Sequence, residues 1–360
     1  YSWRGADVTN LLEFKKNFQT PTIIRLEQNY RSTQNILECA SVLIDKNKNR
    51  YGKKLWSENE IGEKIIINGF WETKEEAIYT TDQIENLIQK KVDLSNIAIL
   101  FRVAAHTRSF EERLIAIGLP YKIIGGLRFY ERKEIKDIIA YLRLVNNLTD
   151  DLAFERVINV PKRGIGKTTI SKINQIARLN NISMFEASRK FAGENQTKIN
   201  IEINNFIVNI LNWQKIKKNF DHIELTKAIL EDSKYIDHLE NEAKSSKNPE
   251  NLSRIDNINE FIESLKDFEN LEGFLEHVGL IMENINNTDT QTISLMTMHG
   301  AKGLEFDYVF LAGWEEGVFP SQRSLDELGN KGLEEERRLA YVAITRARKK
   351  IQISYVNQNR

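Results

Sequence analysis

Cysteine is almost absent from this sequence, which has a single one, Cys39, among 360 residues. One thiol excludes a framework of disulfides within the chain and leaves no cysteine cluster for a structural metal. We therefore expect a reducing compartment, and the cytoplasm as the protein's location. No apolar run approaches the length of about 20 residues that a membrane-spanning helix needs, and the first residues lack the layout of a signal peptide.

An excess of charge of either sign is also lacking, since 51 Lys and Arg residues balance 51 Asp and Glu residues. A net charge of zero neither requires nor excludes nucleic acid, because a large protein can bind DNA through a local basic surface. Hydrophobic residues make up 41% of the chain and charged residues 28%, which is typical of a globular protein. The length suffices for two or three domains.

A complete phosphate-binding loop is missing as well. The stretch PKRGIGKTTI, residues 161–170, contains Gly166-Lys167-Thr168, which is how a Walker A motif ends. The full motif has a glycine five positions before Gly166, and Pro161 stands there instead. Proline has no backbone N–H and a fixed φ, so this loop cannot wrap a phosphate in the required way. The stretch therefore has another function.

Hydrophobic periodicity divides the chain into segments of different type. Strand-like runs alternate with helical ones between residues 21 and 131, which favours a parallel α/β sheet. Residues 132–287 have helical spacing, and strand-like runs return in 288–360. We therefore predict an α/β domain interrupted by an all-helical insertion. One apolar helix face within the insertion is formed by Ile135, Ile138, Ile139, Leu142 and Val145.

The individual elements follow from the same patterns. Strands are predicted at 22–26, 64–69, 96–101 and 121–124, and at the stretches QTISLM, DYVFLAG and KIQISY near the end of the chain. Helices of the α/β part are predicted at 33–44, 74–89, 106–117 and 333–346.

Four stretches occur in an informative order: YSWRGAD at 1–7, LEQNYRST at 26–33, LMTMHGAKGLEF at 295–306 and EEERRLAYVAITRARKKI at 334–351. They resemble the third, fourth, fifth and sixth helicase motifs of the UvrD/PcrA/Rep family of superfamily-one DNA helicases. GGLRFYERKEIKDIIAYLRL at 125–144 is similar to that family's junction between the second motor domain and a helical insertion. The resemblance covers essentially the whole chain.

The resemblance implies a domain organisation. Residues 21–131 and 288–360 would form the second RecA-like motor domain, 132–287 the helical insertion domain, and 1–20 a remnant of the first motor domain. The family's Walker A loop and Asp-Glu metal motif lie upstream of the third motif, and neither is in this chain. We therefore expect the C-terminal half of a helicase that uses ATP with Mg²⁺ and moves 3′ to 5′ on single-stranded DNA. The metal ligands would lie in the missing half, and the fragment alone would be inactive.

Four residues match the ATP-contacting positions of the family. Arg31 and Arg346 would act on the γ-phosphate, where positive charge offsets the negative charge that develops during hydrolysis. Tyr30 would stack on the adenine, and Glu305 would accept a hydrogen bond from the ribose. Glu305 also stands at the mouth of a predicted buried strand, and α/β sheets gather their ligands at strand ends.

Contacts to single-stranded DNA are implied at further positions. Single strands are held by stacking on aromatic rings and by cations along the phosphates. Trp3 matches the family's stacking tryptophan, with Arg4 beside it, and His299 and Lys302 would touch the strand or couple it to the nucleotide. Arg102 resembles another DNA contact, although Val103-Ala104 replaces the usual Thr-Asn after it.

The stretch at 161–170 resembles a segment of the family's insertion domain that touches the duplex ahead of the fork. Arg163, Gly164 and Gly166 match that segment, and Lys167 would then contact a phosphate. The glycines allow the backbone to approach DNA closely, and the next helix presents its N-terminus to a phosphate. Thr168 and Thr169 are candidate caps of that helix.

Two other functions fit parts of the sequence. For a stand-alone DNA-binding or regulatory module without motor activity, we expect the gene to begin near Tyr1, whereas a helicase gene would continue upstream into a Walker A loop. A helicase–nuclease subunit would need an acidic nuclease motif downstream. The expected partners are single-stranded DNA, a duplex junction, the missing motor half, and repair or replication proteins.

Overall fold

The structure is a computed structural model that describes residues 22, 24, 26–48, 55–193, 196–246, 250–283 and 291–357. Trp3 and Arg4 lie outside the described residues. The chain divides into two compact units: Leu127–Thr288 forms one, and the segments that flank it form the other. No helix among the described residues is long and apolar enough to cross a membrane.

The flanking segments form an α/β unit around one parallel sheet. Within the described residues the sheet has six strands in the order β1-β6-β5-β2-β4-β3, and all neighbouring pairs are parallel. The α/β class predicted from the alternating pattern is therefore confirmed. The strands are β1 (Ile66–Phe70), β2 (Ile97–Phe101), β3 (Tyr121–Ile124), β4 (Ile293–Thr297), β5 (Phe306–Leu311) and β6 (Ala347–Val356).

Helices account for most of the remaining described residues. In chain order they are α1 (Gln34–Ile44), α2 (Thr73–Gln89), α3 (Arg108–Ala116), α4 (Lys133–Asn146), α5 (Asp151–Val157), α6 (Lys167–Asn180), α7 (Met184–Gly193), α8 (Lys198–Ile216), α9 (His222–Asp232), α10 (Tyr235–Ser246), α11 (Glu250–Leu265), α12 (Leu271–Glu283), α13 (Gln322–Leu328) and α14 (Asn330–Ile344).

Both faces of the sheet are covered by helices, which explains why its central strands read as continuous apolar runs. Alternate residues of β2 enter two different cores: Ala98 and Leu100 pack with α1 and α14, whereas Ile99 and Phe101 pack with α2 and α3. All five residues of β2 are buried. The sheet is therefore the middle layer of three, and polar side chains can gather only at its edges.

The strand predicted at 22–26 is wrong for the residues of that segment that the structure describes. Residues 22, 24 and 26 are not in a strand, and Ile24 and Leu26 are 80% and 78% exposed. β-Branched residues form a strand only where a neighbouring strand pairs with them and buries one face. The first backbone pairing described in this part of the chain is the isolated bridge between Gln28 and Trp56.

The unit Leu127–Thr288 contains helices and no strand among its described residues. Its central helix is α4, and the apolar face predicted from spacing is buried, since its five residues are at most 5% exposed. Tyr141 on the same helix packs edge-on against Trp213 of α8, with ring centroids 5.8 Å apart. Burial of large aromatic side chains of this kind stabilises the helical core.

Candidate functional site

The candidate site residues of the α/β unit gather at two opposite edges of its sheet. Glu305 immediately precedes β5 and Arg346 immediately precedes β6, so both lie at the amino edge. Arg102 directly follows β2 and His299 follows β4, so both lie at the carboxyl edge. Strands of this length span about 17–20 Å, which makes these two separate sites.

The position of Glu305 corrects one argument made from the sequence. The general rule for open α/β sheets concerns the crevice outside the carboxyl ends of the strands. Glu305 stands at the amino end of β5 instead. The reason is that β5 is parallel to both of its neighbours, so the residue directly before it lies at the amino edge of the sheet.

A tight turn brings Tyr30 and Arg31 to the amino edge. The side-chain oxygen of Asn29 accepts hydrogen bonds from the backbone N–H groups of Arg31 at 2.8 Å and Ser32 at 3.0 Å, which is the geometry of an Asx turn. The Ser32 hydroxyl donates to the carbonyl of Ala347 at 2.6 Å, which fastens the turn to the start of β6. The Tyr30 ring is 79% exposed and is therefore accessible for stacking.

Arg31 and Glu305 form the central ion pair of the amino edge. Arg31 Nε donates to Glu305 Oε2 at 2.5 Å, and the two side chains are 32% and 42% exposed. The hydrogen bond from Arg31 holds the pKa of Glu305 below its ordinary value, with smaller contributions from Arg348 and Arg346. Exposed ion pairs are worth at most about 1 kcal/mol, so an anionic ligand can compete for Arg31.

Arg346 is held more tightly than Arg31. The residue is 9% exposed, and its guanidinium donates to the carbonyls of Val342 and Leu304, each at 3.0 Å, and to the Thr345 hydroxyl at 3.3 Å. Its own carbonyl accepts from the N–H of Phe306 at 3.0 Å. These bonds join the end of α14 to the starts of β5 and β6 and fix the direction of the guanidinium.

Arg348, which was not predicted from the sequence, completes the cluster. Arg348 Nε donates to Asp307 Oδ1 at 2.6 Å, its Nη2 donates to Asn96 Oδ1 at 3.1 Å, and its Nη1 lies 3.6 Å from Glu305 Oε1. A usable signal was present in the sequence: Arg348 follows Arg346 by only two positions, at the start of the same strand.

Arg102 is part of an ion pair at the carboxyl edge. Its Nε and Nη2 donate to the two carboxylate oxygens of Glu336 at 2.9 and 2.8 Å. Glu336 was not predicted from the sequence; it is on α14 and contacts a residue 234 positions away. The DNA contact suggested for Arg102 stays a prediction, and the structure adds an intramolecular partner.

His299 and Lys302 lie in the turn that follows β4. Lys302 is exposed and His299 is partly buried. Burial, together with the smaller effect of the nearby charge of Arg102, lowers the pKa of His299 to about 4, while Glu336 acts in the opposite direction. The imidazole is therefore uncharged at neutral pH and can accept or donate a hydrogen bond without adding positive charge.

We expect the low pKa of His299 to appear in the pH dependence of stability. Above about pH 6.5, the ordinary value, the ring is neutral both folded and unfolded. Between there and about pH 4 the unfolded chain binds the proton more readily, so the free energy of unfolding should fall as the pH falls. Urea unfolding at several pH values should show a smaller fall in His299→Gln. An identical pH dependence in both proteins would contradict the assignment.

The connection between β4 and β5 runs from one site to the other. Residues 298–305 leave the carboxyl edge, where His299 lies, and reach the amino edge at Glu305. Gly303 has a φ of +91°, a conformation that side-chain-bearing residues rarely adopt. The segment 298–305 is therefore a direct covalent link between the two edges.

Arg163 in the helical unit was expected to contact DNA. Its guanidinium instead lies inside the turn formed by residues 157–165. Its Nη1 donates to the carbonyls of Val157 at 3.0 Å, Ile158 at 3.1 Å and Pro161 at 3.3 Å. Its Nη2 donates to the Tyr141 hydroxyl at 2.8 Å. The guanidinium thus organises residues 157–165, and contact between Arg163 and DNA stays a prediction.

The neighbouring residues are the accessible ones. Gly164 is exposed and has a φ of +76°, which favours glycine, and Lys167 is exposed at the first position of α6. The prediction that Thr168 or Thr169 caps this helix is wrong, because Gly166 occupies the N-cap position. Both threonines lie within the first turn of the helix, past the position from which a hydroxyl can cap it.

Comparison with known proteins decides the family. Residues 24–358 match the family described as the UvrD-like helicase C-terminal domain. The chain belongs to this family. The match covers both units and includes the amino-edge and carboxyl-edge residues.

The described residues contain no group of three or more His, Cys, Asp or Glu side chains placed to hold a metal ion.

Relatives of this UvrD-like chain carry helicase names. It is 50% identical over 365 residues to a probable DNA helicase II homolog of Rickettsia felis, covering 100% of this chain and 55% of that protein. It is 43% identical to the ATP-dependent DNA helicase PcrA of Bacillus subtilis, covering 98% and 49%. Identity to DNA helicase II of Haemophilus influenzae is 40%, covering 100% and 50%. The chain thus spans about half the length of these relatives.

Proposed function

We propose that the chain is the C-terminal portion of an ATP-dependent DNA helicase that moves 3′ to 5′ on single-stranded DNA and unwinds duplexes. The observation that carries the proposal is the amino-edge cluster, in which Arg31, Arg346 and Glu305 meet beside the exposed ring of Tyr30. The names of the relatives support an ATP-dependent enzyme acting on DNA. The same proposal includes a cytoplasmic location and partners in repair or replication.

The amino edge supplies the chemistry that ATP hydrolysis needs from this side of a nucleotide. Negative charge develops on the γ-phosphate, and fixed guanidinium groups stabilise it without reorganising at the moment of reaction. Arg346 is fixed by bonds to Val342 and Leu304, whereas Arg31 can exchange Glu305 for a phosphate oxygen. Tyr30 would stack on the base, and Glu305 would then accept from the ribose. Mg²⁺ would be held by residues of the upstream half.

The carboxyl edge would bind the single strand. Three of the expected DNA contacts follow strands β2 and β4, namely Arg102, His299 and Lys302. DNA contacts by Trp3 and Arg4 are proposed from the sequence resemblance alone. A neutral His299 suits a hydrogen bond to a base or sugar, whereas exposed Lys302 suits a phosphate.

The helical unit would touch the duplex through Gly164, Gly166 and Lys167. The start of α6 directs backbone N–H groups outward, and Lys167 adds a positive charge at that end. Arg163 would hold the turn in shape from within.

The proposal predicts a division of activity between two halves. The 360-residue chain alone should not hydrolyse ATP, because no phosphate-binding loop is in its sequence. The complete protein, by which we mean this chain joined to its upstream half, should hydrolyse ATP in the presence of Mg²⁺ and much faster with single-stranded DNA. It should unwind duplexes with a 3′ single-stranded tail and leave 5′-tailed duplexes intact.

Steady-state ATPase assays and strand-separation assays measure these outcomes directly. Turnover by the isolated chain would overturn the proposal and would make Lys167 a candidate phosphate-binding residue. DNA binding without turnover in the complete protein would instead favour a regulatory module.

A further inference from the structure

Glu336 is a buried acidic residue at the carboxyl edge to which the proposed function assigns no role. It is 5% exposed on α14. Its two oxygens accept the paired donors of Arg102, and Oε2 also accepts the backbone N–H of Ser321 at 3.2 Å. One carboxylate therefore joins three segments: the end of β2, the start of α13 and the middle of α14.

The pair of Arg102 and Glu336 should persist when DNA binds. Its two parallel N–H···O bonds have the geometry in which guanidinium and carboxylate interact most strongly. Separating the pair would leave a charged carboxylate with little access to water, which is costly. Arg102 therefore cannot act on DNA as a free cation.

The same geometry leaves one side of Arg102 available. Nε and Nη2 are the atoms bonded to Glu336, the side chain is 20% exposed, and within the part of the chain that the structure describes Nη1 has no hydrogen-bond partner. A planar guanidinium that is held along one side has its remaining donors fixed in direction. The charges of Arg102 and Glu336 both act on the pKa of His299, which therefore lies near the pair.

We propose that Glu336 is a positioning residue for single-stranded DNA: it fixes Arg102 so that Nη1 meets the strand, and it holds the residues around Ser321 in place beside it. This inference rests on the proposed function, because it takes the carboxyl edge as the site of the strand. It assigns to Glu336 an effect on DNA affinity without any contact to DNA.

If Glu336 positions Arg102, the substitution Glu336→Gln should lower the affinity for single-stranded DNA. If only the charge of Glu336 matters, the same substitution should raise that affinity. Glu336→Gln removes a negative charge near the DNA and releases Arg102. If charge alone mattered, the complete protein would bind single-stranded DNA more tightly, with a steeper salt dependence by about one counterion. If Glu336 positions Arg102, binding should become weaker in spite of the added positive charge.

The experiment is a fluorescence titration of the complete protein with oligo-dT at several salt concentrations. We expect Glu336→Gln to bind about tenfold more weakly than the unmodified protein. Glu335→Gln is the matched control, since it removes the same charge one position away on α14 from a residue that pairs with Arg338. ATPase assays should show that Glu336→Gln needs more DNA for half-maximal stimulation and reaches the same kcat at saturating DNA.

A second variant distinguishes loss of DNA contact from misfolding caused by breaking the ion pair. The exchange Arg102→Glu with Glu336→Arg restores the ion pair in reverse but presents no guanidinium donor at position 102. Weak binding by this folded double variant supports positioning. Recovery of full affinity would overturn it, and so would Glu336→Gln binding as tightly as Glu335→Gln or more tightly. Absence of DNA binding by the unmodified protein would instead refute the proposed function.

Discussion

Replacing Arg346 with alanine should lower the ATP turnover of the complete protein by a factor of about 10³ or more, the range known for arginines that stabilise phosphoryl transfer. The guanidinium is oriented by the Val342 and Leu304 carbonyls, so its stabilising effect does not require rearrangement during the reaction. The loss should appear in kcat more than in the KM for ATP, because the contact strengthens in the transition state.

Two further variants make this result interpretable. Arg346→Lys keeps the charge but cannot make the same set of bonds, so it should also be severely impaired. Arg323→Ala is the matched control: Arg323 is an exposed arginine of α13 that pairs only with Glu327 within the described residues. It should retain full turnover. Normal turnover by a folded Arg346→Ala protein would contradict the assignment of the amino edge to ATP.

Replacing Arg163 with alanine should destabilise the helical unit by about 3 kcal/mol. The substitution removes the Arg163 donor from the carbonyls of Ile158 and Pro161 and one of two donors from the carbonyl of Val157, and an unsatisfied buried polar group costs about 1–3 kcal/mol. It also removes the guanidinium from the face of the Phe206 ring, 5.1 Å from its centroid. Hydrogen exchange measured by mass spectrometry should show faster exchange in residues 135–165.

Lys167→Ala serves as the comparison for that result. Lys167 is exposed at the start of α6, so its replacement should leave hydrogen exchange unchanged. It should instead weaken binding of the complete protein to a tailed duplex several-fold and reduce the slope of log affinity against log salt by about one. Unchanged exchange in Arg163→Ala, or unchanged duplex affinity in Lys167→Ala, would refute the respective role.

The secondary structure was largely accessible from the sequence. The periodicity of Ile135, Ile138 and Ile139 predicts the buried face of α4, and the apolar run of β5 predicts a strand covered on both sides. Local spacing suffices here because the side-chain period of a helix or a strand repeats within a few residues of the sequence. It failed at 22–26, where β-propensity is high but Ile24 and Leu26 remain exposed.

The order of the motifs, the α/β character and the residues expected at the ATP site can be read from the amino-acid sequence alone. The folded chain was needed to see that the turn of Arg31 lies at the amino edge, that Arg163 turns inward, and that Arg102 is held by Glu336. The cause of this difference is distance along the chain. Arg31 meets Glu305 across 274 positions, and the contact exists because β5 and β6 are neighbours in the sheet order. Periodicity carries information about neighbours within an element, whereas the pairing of elements is fixed by how the whole core is buried.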